Sequence, residues 1–277
     1  MIDNAQLAIT LHQNVATAMQ EDISTGDLTS QLIPADRQGS AHILCREPAV
    51  LCGKAWFEAC FRLLDPNFNI VWHAEEGESI SADQQLCEFS GNARALLTAE
   101  RTAINFLQTL SATATATRRF TQLTQGLSTL VMDTRKTIPG LRLAQKYAVM
   151  TGGGSNQRIG LFDGILIKEN HISAAGGIAA ALAATQNATV PVQIEVETLH
   201  ELESALEAGA VLILLDNFDL EQLRAAVKLT HGRAILEASG GINLSNLRAI
   251  AETGVQRISI GSITKHIQAV DLSMRMD

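Results

Sequence analysis

Between Met132 and His171 the chain gathers side chains able to do chemistry. Six Lys/Arg (Arg135, Lys136, Arg142, Lys146, Arg158 and Lys168) stand against three acids (Asp133, Asp163 and Glu169), a local net charge of +3. The rest of the chain carries 15 Lys/Arg and 26 Asp/Glu, a net of −11. A positive island in an acidic protein suits a small polyanionic ligand. A basic helix face in water would account for Arg142 and Lys146. It accounts less well for Arg135, Lys136 and Lys168, which follow directly on apolar, strand-like runs. Arginine offers a planar fork that grips a carboxylate through two bonds, and lysine a point charge for phosphate or carboxylate.

Two later runs end in carboxylates, Glu195 and Asp216. Such a pair with open positions suits Mg2+ brought in mostly by a substrate's diphosphate. Glu197 has the same alternation parity as Glu195, so spacing alone does not choose between them, and an ion pair with Lys168 or Arg135 is the structural alternative. Ser239-Gly240-Gly241 and Ile260-Gly261-Ser262 follow the last two runs. Small residues there let backbone N–H groups approach a phosphate, although tight turns also call for glycine.

The elements that must position these residues are legible as a regular alternation after Leu127. Apolar runs at 129–132, 164–167, 192–196, 211–215, 234–236 and 257–260 are separated by helical patterns at 141–150, 174–186, 199–208, 219–229 and 244–253. Strands 20 to 35 residues apart with helices between them predict βα units and a parallel sheet. Polar residues end nearly every run, which favours the rim of an incomplete (β/α) barrel. A dinucleotide fold would need a glycine fingerprint after its first strand, and GGGSNQ at 152–157 follows a helical pattern instead.

The earlier part of the chain has a different texture. Leu7, Leu11, Val15 and Met19 form an amphipathic stripe, which stops at turn residues in EDISTGDLTS. Short β-like runs between Gly39 and Gly91 surround a helical piece, AWFEACFRLL, and read as a small α/β domain with an antiparallel sheet. Residues 92–125 read as one long helix carrying Arg101 on its polar side.

A chain of 277 residues, 46% of them hydrophobic, has room for one large and one small domain. Its net charge of −8 argues against general nucleic-acid binding. No run is long and apolar enough for a membrane span, and no basic n-region of a signal peptide precedes Arg37, so a cytoplasmic protein is expected. Cys45, Cys52, Cys60 and Cys87 form no CxxC pair and are expected to be buried free thiols. Trp56 and Trp72 are expected to pack in a core or interface.

The stretches DTRKTIPGLRLAQKYAV, GGGSNQRIGLFDGILIKENHI, IEVETLHEL, LILLDNF and SGGI…ETGVQRISIGSITK, with ERTAINFLQTLS and GDLT before them, resemble quinolinate phosphoribosyltransferases. The resemblance implies an α/β fold: an N-terminal α/β sandwich domain over residues 1–112, to which residues 266–277 return, and an incomplete TIM-like (β/α) barrel over 113–265. It implies transfer of phosphoribose from phosphoribosyl diphosphate to quinolinate with decarboxylation, yielding nicotinate mononucleotide, diphosphate and CO2. By motif, Arg135, Arg158 and Lys168, with Thr134 and Gln157 beside them, would hold the two carboxylates of quinolinate. Lys136, Glu195 and Asp216 would face phosphoribosyl diphosphate and its Mg2+, and Ser239, Gly240, Gly241, Ile260, Gly261 and Ser262 the 5′-phosphate. The match selects Glu195 over Glu197. It also implies a homodimer in which Arg101 crosses into the neighbouring subunit's site. Two positions depart from the family pattern: Gln157 stands where the family has His, and Ser111-Ala112-Thr113-Ala114-Thr115 replaces SGIAT.

Three other readings compete. A Schiff-base lyase would use Lys168 as an amine nucleophile. A catalytically idle relative would only bind a nucleotide or pyridine. A nicotinate phosphoribosyltransferase would omit the decarboxylation, although several basic groups suit a diacid better.

Overall fold

The computed structural model describes residues 2–277, which divide into two compact units. The first comprises the chain through Arg118, Thr137–Gly153 and His266–Asp277; the second comprises Arg119–Lys136 and Gly154–Lys265.

In the first unit, helix α1 (Asn4–Ile23) begins at Asp3, whose side chain accepts from Ala5 N. It ends where Ser24 turns to φ 46°. Of its predicted stripe, Val15 and Met19 are buried and Leu7 and Leu11 pack at the edge of the core. Strands β1 (Gln38–Cys45), β2 (Ala49–Val50), β3 (Asn69–Trp72), β4 (Ser79–Ile80) and β5 (Gln85–Asn92) surround helix α2 (Lys54–Leu64). The main sheet is antiparallel, with β5 between β1 and β3. The C-terminal strand Leu272–Met276 adds to the outer side of β1, from Ala41 opposite Met276 to Cys45 opposite Leu272. Trp56, Phe57, Cys60 and Phe61 of α2 are all buried. Phe57, Phe61, Phe68 and Phe89 form a ring cluster with centroids 4.8–5.7 Å apart. Burying each such side chain contributes about 1.5–3 kcal/mol.

Helix α3 (Ala93–Leu123) is the predicted long helix. Its Ser111–Thr115 stretch serves packing: Ser111 Oγ accepts from Cys52 N and donates to Cys52 O, and Thr115 Oγ1 accepts from Val50 N. Helix α4 (Arg142–Thr151) belongs to the first unit because Ala144 and Ala148 are fully buried in its core. The compact division therefore differs from a barrel domain continuous over 113–265. The four cysteines are free and buried, and Trp56 is 1% exposed.

The second unit holds six parallel strands: β6 (Leu130–Met132), β7 (Ile165–Ile167), β8 (Val192–Val196), β9 (Leu212–Asp216), β10 (Ile235–Ser239) and β11 (Arg257–Ser259). Their order, β6-β11-β10-β9-β8-β7, is that of a barrel open between β6 and β7. Ile194, Ile213, Leu215, Leu236 and Ile258 are essentially inaccessible, as apolar runs covered on both faces require. The predicted 174–186 helix is instead two short ones, α5 (Glu169–Ala175) and α6 (Ile178–Ala183). Gly176 and Gly177, at φ 87° and 125°, break it. Helices α7 (Leu199–Glu207), α8 (Leu220–Thr230), α9 (Leu247–Ala251) and α10 (Ser262–Lys265) follow their strands.

Candidate active site

Parallel βα units bring every strand's C-terminal end to one rim. The second unit thereby gathers side chains from widely separated parts of the sequence. Lys168 follows β7 directly as the N-cap of α5. Its Nζ contacts both carboxylate oxygens of Glu195 on β8, at 3.0 and 2.7 Å. The Glu195 side chain is 13% exposed, and that of Lys168 47%.

Asp216 closes β9 and accepts from Asn217 Nδ2 at 2.9 Å. Burial, and then the charge of Glu195, hold its carboxyl above the usual aspartate range, while Lys168 and Lys136 pull it down. Each of these groups therefore lies within electrostatic reach of Asp216. Lys136 enters from the segment after β6. Its carbonyl accepts from Thr264 Oγ1 at 2.8 Å, and its backbone N–H donates to Thr134 Oγ1 at 3.1 Å. A Cβ placed on Gly261 would lie 2.9 Å from Lys136 Cδ, so the lysine runs across that glycine.

Glu197 lies just past β8. It is fully exposed, its N–H donates to Glu201 Oε2, and its carboxyl is raised by the charge of Glu169 first, with Glu201, Asp216 and Glu195 adding to it. Its exposure, against the contact of Lys168 with Glu195, distinguishes the two glutamates that alternation left equivalent. At β10 and β11, Ser239 lies opposite Asp216 in register. Gly240 has φ 98°, and a Cβ there would overlap Asn217 Oδ1. Glycine is required at that turn on both counts.

The arginines form a second cluster. The Nε of Arg135 is buried without a hydrogen-bond partner. Arg158 Nη1 donates to Gly164 O at 2.9 Å. Burial and then the charge of Arg135 depress the ionisation of Arg158, so the two guanidiniums lie near each other. Two adjacent cations and an orphaned buried donor are an arrangement that an anion would complete.

The loop carrying Gln157 and Arg158 takes up the open edge of β6. Ser155 N donates to Val131 O and Asp133 N to Ser155 O. Buried Asp133 accepts from Asn156 Nδ2 at 2.7 Å and Gln157 N at 2.8 Å. The Gln157 side chain donates to Glu237 Oε1. Asp133 and Glu237 were legible in the sequence only as polar residues at the ends of apolar runs, with no role assigned to either. An isolated acid on the inward parity of a buried strand was the available signal.

Arg101 belongs to the first unit. It is exposed on α3 and borders a cavity of about 430 Å³ with Glu21, Asp22, Asn105 and Gly140. No group of three or more His, Cys, Asp or Glu among the described residues is arranged to hold a metal ion. Glu195 and Asp216 are a pair of mutually repelling carboxylates, which fits a cation whose remaining ligands come from a substrate and water. No described helix is long and apolar enough to cross a membrane.

Two family models match the chain: the N-terminal domain of quinolinate phosphoribosyl transferase over residues 27–111, and its C-terminal domain over residues 113–275. A probable carboxylating nicotinate-nucleotide pyrophosphorylase of Bacillus subtilis is 41% identical over 92% of this chain and 89% of its own length. The chloroplastic carboxylating nicotinate-nucleotide pyrophosphorylase of Arabidopsis thaliana is 36% identical over 95% of this chain and 82% of its own. The solved nicotinate-nucleotide pyrophosphorylase of Francisella tularensis superposes with a TM-score of 0.94 at 45% identity, covering 100% of this chain and 98% of that one.

Proposed function

The chain belongs to the quinolinate phosphoribosyl transferase family, and we propose that the rim of its six-stranded sheet is where the family reaction takes place. The enzyme transfers phosphoribose from phosphoribosyl diphosphate to quinolinate, with decarboxylation, in the biosynthesis of NAD. The observation that carries the assignment of the site is the meeting of Lys136, Lys168, Glu195 and Asp216, drawn from four strand ends, around one electrostatically coupled centre.

Arg135, Arg158 and Lys168 hold the two carboxylates of quinolinate, with Thr134 beside them. The orphaned Nε of Arg135 supports this, because an incoming carboxylate supplies its missing acceptor. Lys136 faces the phosphoribosyl diphosphate, and the turns at Ser239–Gly241 and Ile260–Ser262 offer backbone N–H groups to the 5′-phosphate. Glu195 and Asp216 would hold Mg2+, which when bound neutralises the diphosphate. Lys168 releases one charge partner as it takes another, since its ammonium now rests on Glu195.

The ring nitrogen of quinolinate attacks the anomeric carbon while the bond to diphosphate breaks. The chain's part is to orient the two substrates and to set Lys136 against the departing charge. The quaternised ring then loses its 2-carboxylate as CO2. The electron pair of the broken bond stays on the ring, and a proton takes the vacated position. No side chain has to act as base on the attacking nitrogen, which carries no proton at neutral pH.

In this reading the active form is a homodimer, with Arg101 of one copy completing the other's site. Exposure of a guanidinium on a mostly buried helix supports it. Four buried free thiols favour a reducing compartment such as the cytoplasm. The lyase alternative is disfavoured because Lys168 lies against a carboxylate rather than the apolar wall that a nucleophilic amine needs.

The test is incubation with quinolinate, phosphoribosyl diphosphate and Mg2+, following nicotinate mononucleotide and CO2, with nicotinate as the control substrate. Stoichiometric release of both products supports the reading. Equal turnover of nicotinate, or no product from well-folded protein, overturns it.

A further inference from the structure

Glu237 is a carboxylate that the mechanism leaves unused, in the middle of a strand and 1% exposed. In the parallel sheet Glu195 and Glu237 both stand opposite Leu214. They therefore share a row and face the same side two strands apart, roughly 9.6 Å at the usual strand spacing. A buried acid is tolerated only when its oxygens are satisfied, and both are. Gln157 Nε2 donates to Oε1, and Gln193 Nε2 donates to Oε2 at 3.0 Å. Burial holds the Glu237 carboxyl above the usual glutamate range, while the bonds from Gln193 and Gln157 and, last, the charge of Arg257 pull it back down.

We infer that Glu237 is a positioning residue of the dicarboxylate pocket, holding the Gln157 side chain and so the loop that carries Arg158. Asp133 holds the same loop by its backbone, through Gln157 N, and by Asn156. Asp133 lies two residues before Arg135, and Gln157 one before Arg158, so both ends of the arginine pair rest on buried carboxylates. Gln157 reaches downward to Glu237 here. Its contribution to quinolinate is then to lock the loop, which a neutral amide does as well as an imidazole.

The inference rests on the assignment of Arg135 and Arg158 to quinolinate. Its test compares Glu237→Gln, Gln157→Leu and the double variant in steady-state kinetics. Each single change leaves a buried partner unsatisfied, and the expected result is a rise in KM for quinolinate of about tenfold. KM for phosphoribosyl diphosphate stays within about twofold, and the double variant is no worse than the more impaired single one, because the two residues act through one contact. Additive effects, equal shifts in both KM values, or an unchanged quinolinate KM overturn the inference. Should Glu237→Gln not fold, Gln193→Leu removes the other restraint on the carboxylate, and an unchanged quinolinate KM in that variant has the same force. A wild-type enzyme that makes no nicotinate mononucleotide counts against the proposed function instead, so the two failures are distinguishable.

Discussion

Replacing Gly261 with alanine displaces the Lys136 side chain that crosses it while keeping the backbone N–H groups of that turn. The backbone there is outside the positive-φ region, so alanine is tolerated by the chain itself. The new Cβ would stand 2.9 Å from Lys136 Cδ, 3.5 Å from Thr134 Oγ1 and 3.8 Å from Lys136 Nζ. Ordinary carbon contacts begin near 3.5–4.0 Å, so the lysine must yield by about 1 Å. Moving a unit charge from about 3 to about 4 Å from an anionic oxygen, at an effective dielectric constant of about 20, costs roughly 1.4 kcal/mol. That is about a tenfold loss in kcat/KM for phosphoribosyl diphosphate. The fold itself should be unharmed, or gain about 0.4–1 kcal/mol from the less flexible unfolded chain. Steady-state kinetics and thermal melting read the two effects separately. An alanine variant with unchanged Tm and unchanged kcat/KM would show that Lys136 does not act from the position it occupies over Gly261.

Other perturbations have distinct signatures. Lys136→Ala and Lys168→Ala should each lower kcat/KM by at least about a hundredfold, roughly 2.7 kcal/mol, and near-normal rates in either variant remove that residue from the site. Gly240→Ala should cost about 1–3 kcal/mol in denaturant unfolding, because it forces φ 98° on alanine and drives Cβ into Asn217. Asp216 ionises above the usual aspartate range, through burial first and Glu195 second. If it must be charged to hold Mg2+, kcat/KM falls on acidification at a higher pH than an ordinary aspartate would give. The same shift means that the folded form binds this proton more tightly than the unfolded chain. Its contribution to stability therefore declines as pH rises from the ordinary aspartate value through the raised one, and is constant above it. In Asp216→Asn the declining window should vanish from the pH–stability curve.

The alternation of apolar runs with helical patterns was enough to read six strands and their common rim, because buried parallel strands leave an unbroken apolar signature. The antiparallel sheet of the first unit was legible from its short runs and turns. Four things were not. The placement of α4 with the first unit depends on Ala144 and Ala148 finding that core, a tertiary choice which their spacing does not encode. The break at Gly176–Gly177 interrupts a stretch whose alanines alone favour continuous helix. Glu195 and Glu197 were indistinguishable by parity; the motif resemblance favoured Glu195, and in space Lys168 rests on Glu195 while the charge of Glu169 bears first on Glu197. The role of Glu237 was not legible, because the amide partners of an acid ending an apolar run are known only once the strands are in place.

The most direct test of the account is a structure determined with quinolinate bound. Its two carboxylates should lie within about 2.7–3.2 Å of donors on Arg135, Arg158 and Lys168, with the ring nitrogen turned toward the side of Lys136 and Asp216. Quinolinate held by other residues, with these three side chains left as they are, would contradict it.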